Sequence, residues 1–285
     1  MPANILSIDV EDWFHILALP GTPPVEQWRR LESRVERGLR RILDLLDERN
    51  ARATFFFLGW IAENHPDLVR ACAARGHEIA SHGYGHRLVY TQSRAEFGED
   101  VRRTKACLEE ITHAPVHGYR APGFSIVRDT PWAFDEILEA GYTYDSSIFP
   151  ARRGHGGLPG APLHPYVHRT ASGSLVEFPV TVASFLGVRV CFFGGGYFRL
   201  FPYPLIRRMS RVVAAEGRPV VYYLHPREFD PSHPRLSMGP WRRFKSYVNL
   251  RTAEPKLRAL LAEEELTTFA EWMRSDGAQL ASGTS

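Results

Sequence analysis

Short apolar runs and amphipathic runs alternate along this chain. Ile5 to Val10 is apolar and ends among acids, which predicts a buried first strand. Val35, Leu39, Ile42, Leu43 and Leu46 recur with a 3.6-residue period, so a helix is expected over 35–46. Ala53 to Leu58 is apolar and aromatic without alternation, as in a parallel strand covered on both faces. A helix over 61–74 follows, stopped by Gly76, and then a short strand over 77–80. Ser93 is placed to cap a helix reaching about Thr112. A strand over 116–120, a helix from a Thr130 cap to Ala140, and a strand over 141–144 continue the pattern. Residues 150–174 are rich in Gly, Pro and His and read as a long surface excursion. Strand-like runs over 175–182 and 188–193 precede a Gly194–Gly196 turn, a helix over 205–215 and a strong strand over 219–224. A polar loop and a helix pair over about 254–274 come last. Such alternation predicts an α/β fold on a parallel sheet. Residues 1–232 read as the barrel-forming part, and 233–285 as a helical extension packed on the same domain.

Composition narrows the class. The chain has 285 residues, 44% hydrophobic and 24% charged, which suits one α/β barrel. Its 35 basic and 32 acidic residues leave a formal charge of +3, too balanced for a nucleic-acid partner. Cys72, Cys107 and Cys191 are odd in number and widely spaced, so reduced thiols are expected rather than a disulfide framework. No basic-then-apolar leader pattern is visible, and no stretch nears the roughly 20 apolar residues of a membrane span. A cytoplasmic location is the expectation, with peripheral membrane association if the substrate is lipid-linked. The oligomeric state is left open.

The chemistry-bearing residues gather at predicted strand ends. Asp9, Glu11 and Asp12 follow the first strand, and His82 and His86 follow the third. Arg120, Asp145 and His225 each stand at the end of a later one. Gly83 and Gly85 break any helix that would carry the two histidines, so the pair lies on a loop. Two imidazoles and one carboxylate make an open catalytic metal site. The C-terminal ends of barrel strands are where such sites form. Each residue has a plain structural explanation, such as an Asx turn for Asp145-Ser146-Ser147. Five such explanations do not account for five strand ends together.

The order of these residues resembles a known family. Asp9-Val10-Glu11-Asp12, Ser81-His82-Gly83-Tyr84-Gly85-His86, Arg120-Ala121-Pro122-Gly123, Asp145-Ser146-Ser147 and Leu224-His225-Pro226 are similar to the motifs of the polysaccharide deacetylases. These are the NodB-homology domains of carbohydrate esterase family four. Thr54-Phe55-Phe56 resembles that family's second strand. The resemblance implies a distorted (β/α)₇ barrel and metal-dependent removal of acetyl groups from a saccharide. It implies Asp9 as catalytic base, His225 as acid and the Gly123 N–H as oxyanion donor. Arg120 would orient Asp9, and Asp145 would keep His225 protonated. His82, His86 and a carboxylate would hold Zn²⁺, with Co²⁺ or another first-row ion as alternatives. The family's paired aspartates are absent here. Strand alternation puts Glu11 on the face of Asp9, whereas Asp12 is the shorter and more usual ligand, so the carboxylate is Glu11 or Asp12. The Trp that often follows the fourth motif is also missing. Gly194–Arg199 and the segment from Trp241 to Trp272 resemble a subfamily associated with exopolysaccharide biosynthesis. Two other readings stand beside this one: an amidohydrolase of similar fold acting on a small amide such as a ureide, and a carbohydrate-binding protein without catalysis.

Overall fold

The computed structural model describes residues 3–17, 21–152, 154 and 156–277. Its strands are β1 (Asn4–Val10), β2 (Thr54–Phe57), β3 (Glu78–Ser81), β4 (Gly118–Tyr119), β5 (Tyr144–Asp145), β6 (Tyr166–Thr170), β7 (Gly173–Glu177), β8 (Ala183–Phe185), β9 (Val188–Val190), β10 (Val221–Leu224) and β11 (Leu266–Thr267). β2 and β10 are buried at every position, as their unbroken apolar sequences require. The main sheet runs β10-β1-β2-β3-β4-β5-β7-β6, and β11 lies beside β1. From β10 to β7 the neighbours are parallel, and β6 returns antiparallel to β7. The seam between β7 and β10 is bridged rather than laddered. Tyr223 N donates to Phe193 O at 3.1 Å, and Val221 N donates to Thr181 Oγ1 at 2.8 Å. The result is a distorted parallel α/β barrel, as the resemblance implies.

Its interior and outer layer follow from the same apolar pattern. Ile5, Phe56, Ala80, Tyr144, Phe178 and Val221 fill the barrel, and Phe269 and Trp272 close one end of it. Phe269 stacks on Tyr144 at 5.2 Å, and Trp272 meets Phe178 edge-on at 5.1 Å. The helix Val35–Asp47 buries the expected stripe of Val35, Leu39, Ile42, Leu43 and Leu46. It lies so close to the turn after β10 that a Cβ on Gly38 would sit 1.9 Å from Pro226 O. Only glycine lets the helix press on that turn and fix the residues before it. Ser93 caps the helix Arg94–Thr112 in a capping box with Glu96.

Several expectations are corrected. The helix expected over 61–74 is two helices, Gly59–Asn64 and Pro66–Ala74. Pro66 has no N–H to continue the first, and it pushes His65 out of helical backbone, to φ −137° and ψ 56°. Thr130 does not cap the next helix; its hydroxyl accepts from Val127 N, and the helix Ala133–Glu139 begins after Trp132. Residues 150–174 are no simple excursion, because β6 and the start of β7 lie there. Gly195 opens the helix Gly195–Leu200 rather than closing a turn. The region read as a polar loop after β10 holds the helix Pro240–Tyr247. No helix among the described residues is long and apolar enough to cross a membrane.

Candidate metal centre and active site

Strand β1 ends at Val10, and Glu11 N donates back to Asp9 O at 3.0 Å. This tight reversal brings Asp9 and Glu11 to one mouth of the barrel. It sends Asp12 the other way. The Asp12 carboxylate accepts from Trp13 N, Ser33 Oγ, Arg34 N and Val35 N at 2.7 to 3.2 Å. Asp12 thus ties down two helix starts, and its lone pairs are taken. Of the two acids left open as a metal ligand, the geometry places Glu11 at the histidines and Asp12 in a cap.

His82 and His86 leave β3 on a loop that His82 N pins to Phe57 O at 2.8 Å. Gly83 has a φ of +71°, which a side chain would resist. Asp100, which no sequence motif marks, accepts from Tyr84 N at 2.8 Å and holds this loop. Glu11 Oε1 lies 3.3 Å from His82 Nε2 and 3.0 Å from His86 Nε2. His82 Nδ1 lies 2.8 Å from Arg120 O, which can only accept, so the proton of a neutral ring is on Nδ1. The Nε2 lone pair then faces a carboxylate. That contact repels unless a proton or a metal cation sits between them, and a carboxylate facing two such nitrogens is a donor set that fits a divalent metal. One carboxylate and two imidazoles suit zinc or another first-row ion. Glu11, His82 and His86 can supply ligand atoms within 4.8 Å of one another, and so can Asp9, Glu11 and His225. Burial raises the Glu11 carboxyl, but the His86 and His225 charges and bonds from His82 and His86 outweigh it, holding Glu11 well below the usual range.

Arg120 is fully buried and donates from Nη1 to Asp9 Oδ1 at 2.6 Å and to Ser7 Oγ at 2.8 Å. Its Nη2 donates to Ser146 Oγ at 3.1 Å, and its guanidinium lies 4.1 Å from the Phe56 ring centre. One carboxylate oxygen of Asp9 is thereby fixed. The other, Oδ2, lies 3.9 Å from His225 Nε2. Gly123, with a φ of +64°, lines the same cavity.

The carboxylate behind His225 is a different one from that expected. Asp145 accepts from Ser147 Oγ at 2.6 Å and Ser147 N at 3.1 Å, and Ala121 N in turn donates to Ser147 Oγ at 2.7 Å. It supports the Arg120 loop. Burial raises its carboxyl, and burial together with Asp145 raises its neighbour Glu177 well above the usual range. His225 Nδ1 instead faces Glu228 Oε2 at 3.4 Å. The turn Pro226–Phe229 folds Glu228 back onto its own N-cap residue, and Glu228 Oε2 accepts from His225 N at 3.0 Å. Arg199 Nε donates to Glu228 Oε1 at 2.8 Å, with both side chains 1% exposed. Burial lowers the His225 pKa, yet the charges of Glu11 and of Glu228, 3.4 Å from Nδ1, raise it above its ordinary value. Glu228 had a legible signal, three residues after His225 in capping-box spacing. Arg199 had none.

These groups open on a cavity of about 510 Å³. Barrel and mouth together define the class, an α/β barrel of the carbohydrate deacetylase type. Residues 33–144 match the family model described as polysaccharide deacetylase, and 146–274 match that of a domain of unknown function, DUF3473. The first segment is thus similar to the polysaccharide deacetylases, and the two matched segments meet inside one sheet, beside β5. A Bacillus cereus peptidoglycan-N-acetylglucosamine deacetylase is 31% identical over 97 residues, 34% of this chain and 35% of that relative. The chain thus spans about a third of that relative's length. A Mycobacterium smegmatis structure assigned to the polysaccharide deacetylases is similar in fold, with TM-score 0.64 and 22% identity over 97% of this chain and 90% of that one. The PuuE allantoinase structure has TM-score 0.63 and 20% identity over 95% and 89%.

Proposed function

We propose that this chain removes acetyl groups, chiefly N-acetyl, from an amino-sugar saccharide. The observation that carries the reading is the convergence of His82, His86 and His225 Nε2 on Glu11 Oε1 beside the Asp9–Arg120 pair. The matched deacetylase relative acts on N-acetylglucosamine in peptidoglycan, which supports the same bond as target. Glu11, His82 and His86 would hold a divalent ion, zinc before cobalt, which when bound polarises a carbonyl and acidifies water. Asp9 takes the proton of the attacking water through Oδ2, while Arg120 holds Oδ1. The Gly123 N–H donates to the developing oxyanion. His225 gives its Nε2 proton to the departing sugar amine, and Glu228 on Nδ1 keeps that proton in place. A place in exopolysaccharide biosynthesis is part of the proposal, supported by the resemblance of Gly194–Arg199 and the Trp241–Trp272 segment. A cytoplasmic location fits the free thiols of Cys72, Cys107 and Cys191. The extension from residue 233, whose last residues 278–285 lie outside the described residues, is read as part of the same domain, since Phe269 and Trp272 sit in the barrel core.

The test is acetate release from N-acetylated chitooligosaccharides, with allantoin beside them, before and after chelation. Release from the sugars alone, lost with the metal and restored by Zn²⁺, is expected. Turnover of allantoin with none of the sugars would move the chain to the ureide amidohydrolases. Bound metal with no turnover of either would make it a binding protein.

A pH profile separates the two candidate partners of His225. As an acid, His225 must be protonated, and its raised pKa carries activity to higher pH. Glu228→Gln removes one of the charges that raise it, so the pKa falls and the basic limb of kcat/KM moves to lower pH. Asp145→Asn is expected to leave that limb in place. A basic limb unmoved in folded, metal-loaded Glu228→Gln would remove Glu228 from this role.

A further inference from the structure

We propose that the cavity is built for an anionic saccharide: an acetamido sugar stacked on Trp241 and Phe244, with a carboxylate or phosphate nearby in the same molecule. The inference rests on the deacetylase reading and names its substrate class. Trp241 is 69% exposed and Phe244 46%, yet both line the cavity and stack with ring centres 5.8 Å apart at 13°. An exposed, nearly coplanar aromatic pair on a cavity wall offers a face for sugar C–H groups. The platform is held in place. Arg199, paired with Glu228, donates to Ser246 O at 3.1 Å and also to Val248 O, at the end of the helix that carries both rings.

Charge sets the specificity. The acids lining the cavity are Asp9 and Glu11, one taken by Arg120 and the other by the imidazoles. The cations lining it, apart from Arg199, are Arg152, Arg227, Arg242 and Lys245. Among the described residues, Arg152, Arg227 and Lys245 form no ion pair. Arg227 Nε is buried with no hydrogen-bond partner there, two residues from His225. Lys245 Nζ lies 5.5 Å from the Trp241 ring centre, so a cation stands beside the stacking face. A neutral acetylated sugar offers these cations hydroxyl and carbonyl acceptors but no countercharge. The whole chain is nearly balanced at +3, so the excess is local to this cavity. A uronate carboxylate and a glycosyl phosphate share the chemistry that would satisfy them.

Three probes of similar length test this on the metal-loaded chain: chitotetraose, a hyaluronan tetrasaccharide and chitotetraose 1-phosphate. Binding is read by tryptophan fluorescence or calorimetry, and acetate release separately. At least one anionic probe should bind about 10-fold or more tighter than chitotetraose, with the advantage in KM rather than kcat and shrinking as salt rises. Preference for the hyaluronan probe identifies a uronate, and preference for the 1-phosphate identifies a phosphate-linked sugar. Arg152→Ala with Lys245→Ala should cut that preference, while Trp241→Ala should weaken all three probes. Equal binding of all three, or a preference unchanged in the folded double variant, overturns the proposal. Anionic preference in binding with no acetate released from any probe would sink the deacetylase reading and leave this one standing.

Discussion

Glu11→Ala is expected to lose the metal and with it the activity, while Asp12→Ala keeps the metal and loses stability. The two acids are adjacent in sequence and opposite in what they touch. Glu11 Oε1 is shared by His82 and His86 at 3.3 and 3.0 Å, so its removal takes one ligand of a candidate three-ligand set. A supporting group around a metal is already worth ~10-fold in affinity, and a ligand itself is worth more. Asp12 touches neither histidine among the described contacts. Its removal leaves Arg34 N and Val35 N, at the start of the helix Val35–Asp47, without their acceptor. Loss of such a cap costs about 1–2 kcal/mol, and each buried N–H left unpaired about 1–3 kcal/mol. Metal content by mass spectrometry and a thermal melt of each variant check both halves. Full metal in Glu11→Ala, or its loss in Asp12→Ala, would reverse the assignment.

The sequence showed the barrel through local signals. Runs such as Phe55-Phe56-Phe57 are buried on both faces by composition alone, and the acids and histidines that follow such runs arrive together at the strand ends. What it did not show depends on contacts between distant segments or on one turn. Alternation favoured Glu11, but it stops with β1 at Val10, and a bond from Glu11 N to Asp9 O decides the direction. The family resemblance implied Asp145 as the partner of His225. The turn Pro226–Phe229, pressed by Gly38, supplies Glu228 instead. Asp100 holds the histidine loop from the middle of a surface helix, where an acid reads as solvated. The Pro240–Tyr247 helix escaped because its exposed Trp241 and Phe244 break the apolar stripe that marks a packed helix.

Asp9→Asn is expected to keep the metal, lower kcat by ~10²–10⁴-fold and lower the melting temperature. The amide oxygen can still accept from Arg120 Nη1, so the 2.6 Å contact survives in kind. Two things are lost. An amide cannot take a proton from water, which is the base's whole task. The Arg120 guanidinium, fully buried, also loses the charge of its ion-pair partner and is left with neutral contacts: the amide oxygen, Ser7 Oγ, the Ser146 oxygens and the Phe56 face. Removing one partner of a buried ion pair costs about 3–5 kcal/mol, and retention of the hydrogen bond places this variant toward the lower end. The metal outcome separates two seats for the ion. Asp9, Glu11 and His225 also lie close enough to hold one, and an ion seated there would leave with Asp9. Metal retained with kcat collapsed assigns Asp9 as base and the ion to Glu11, His82 and His86. Metal lost makes Asp9 a ligand, and kcat near that of the parent in a folded variant removes it from the chemistry.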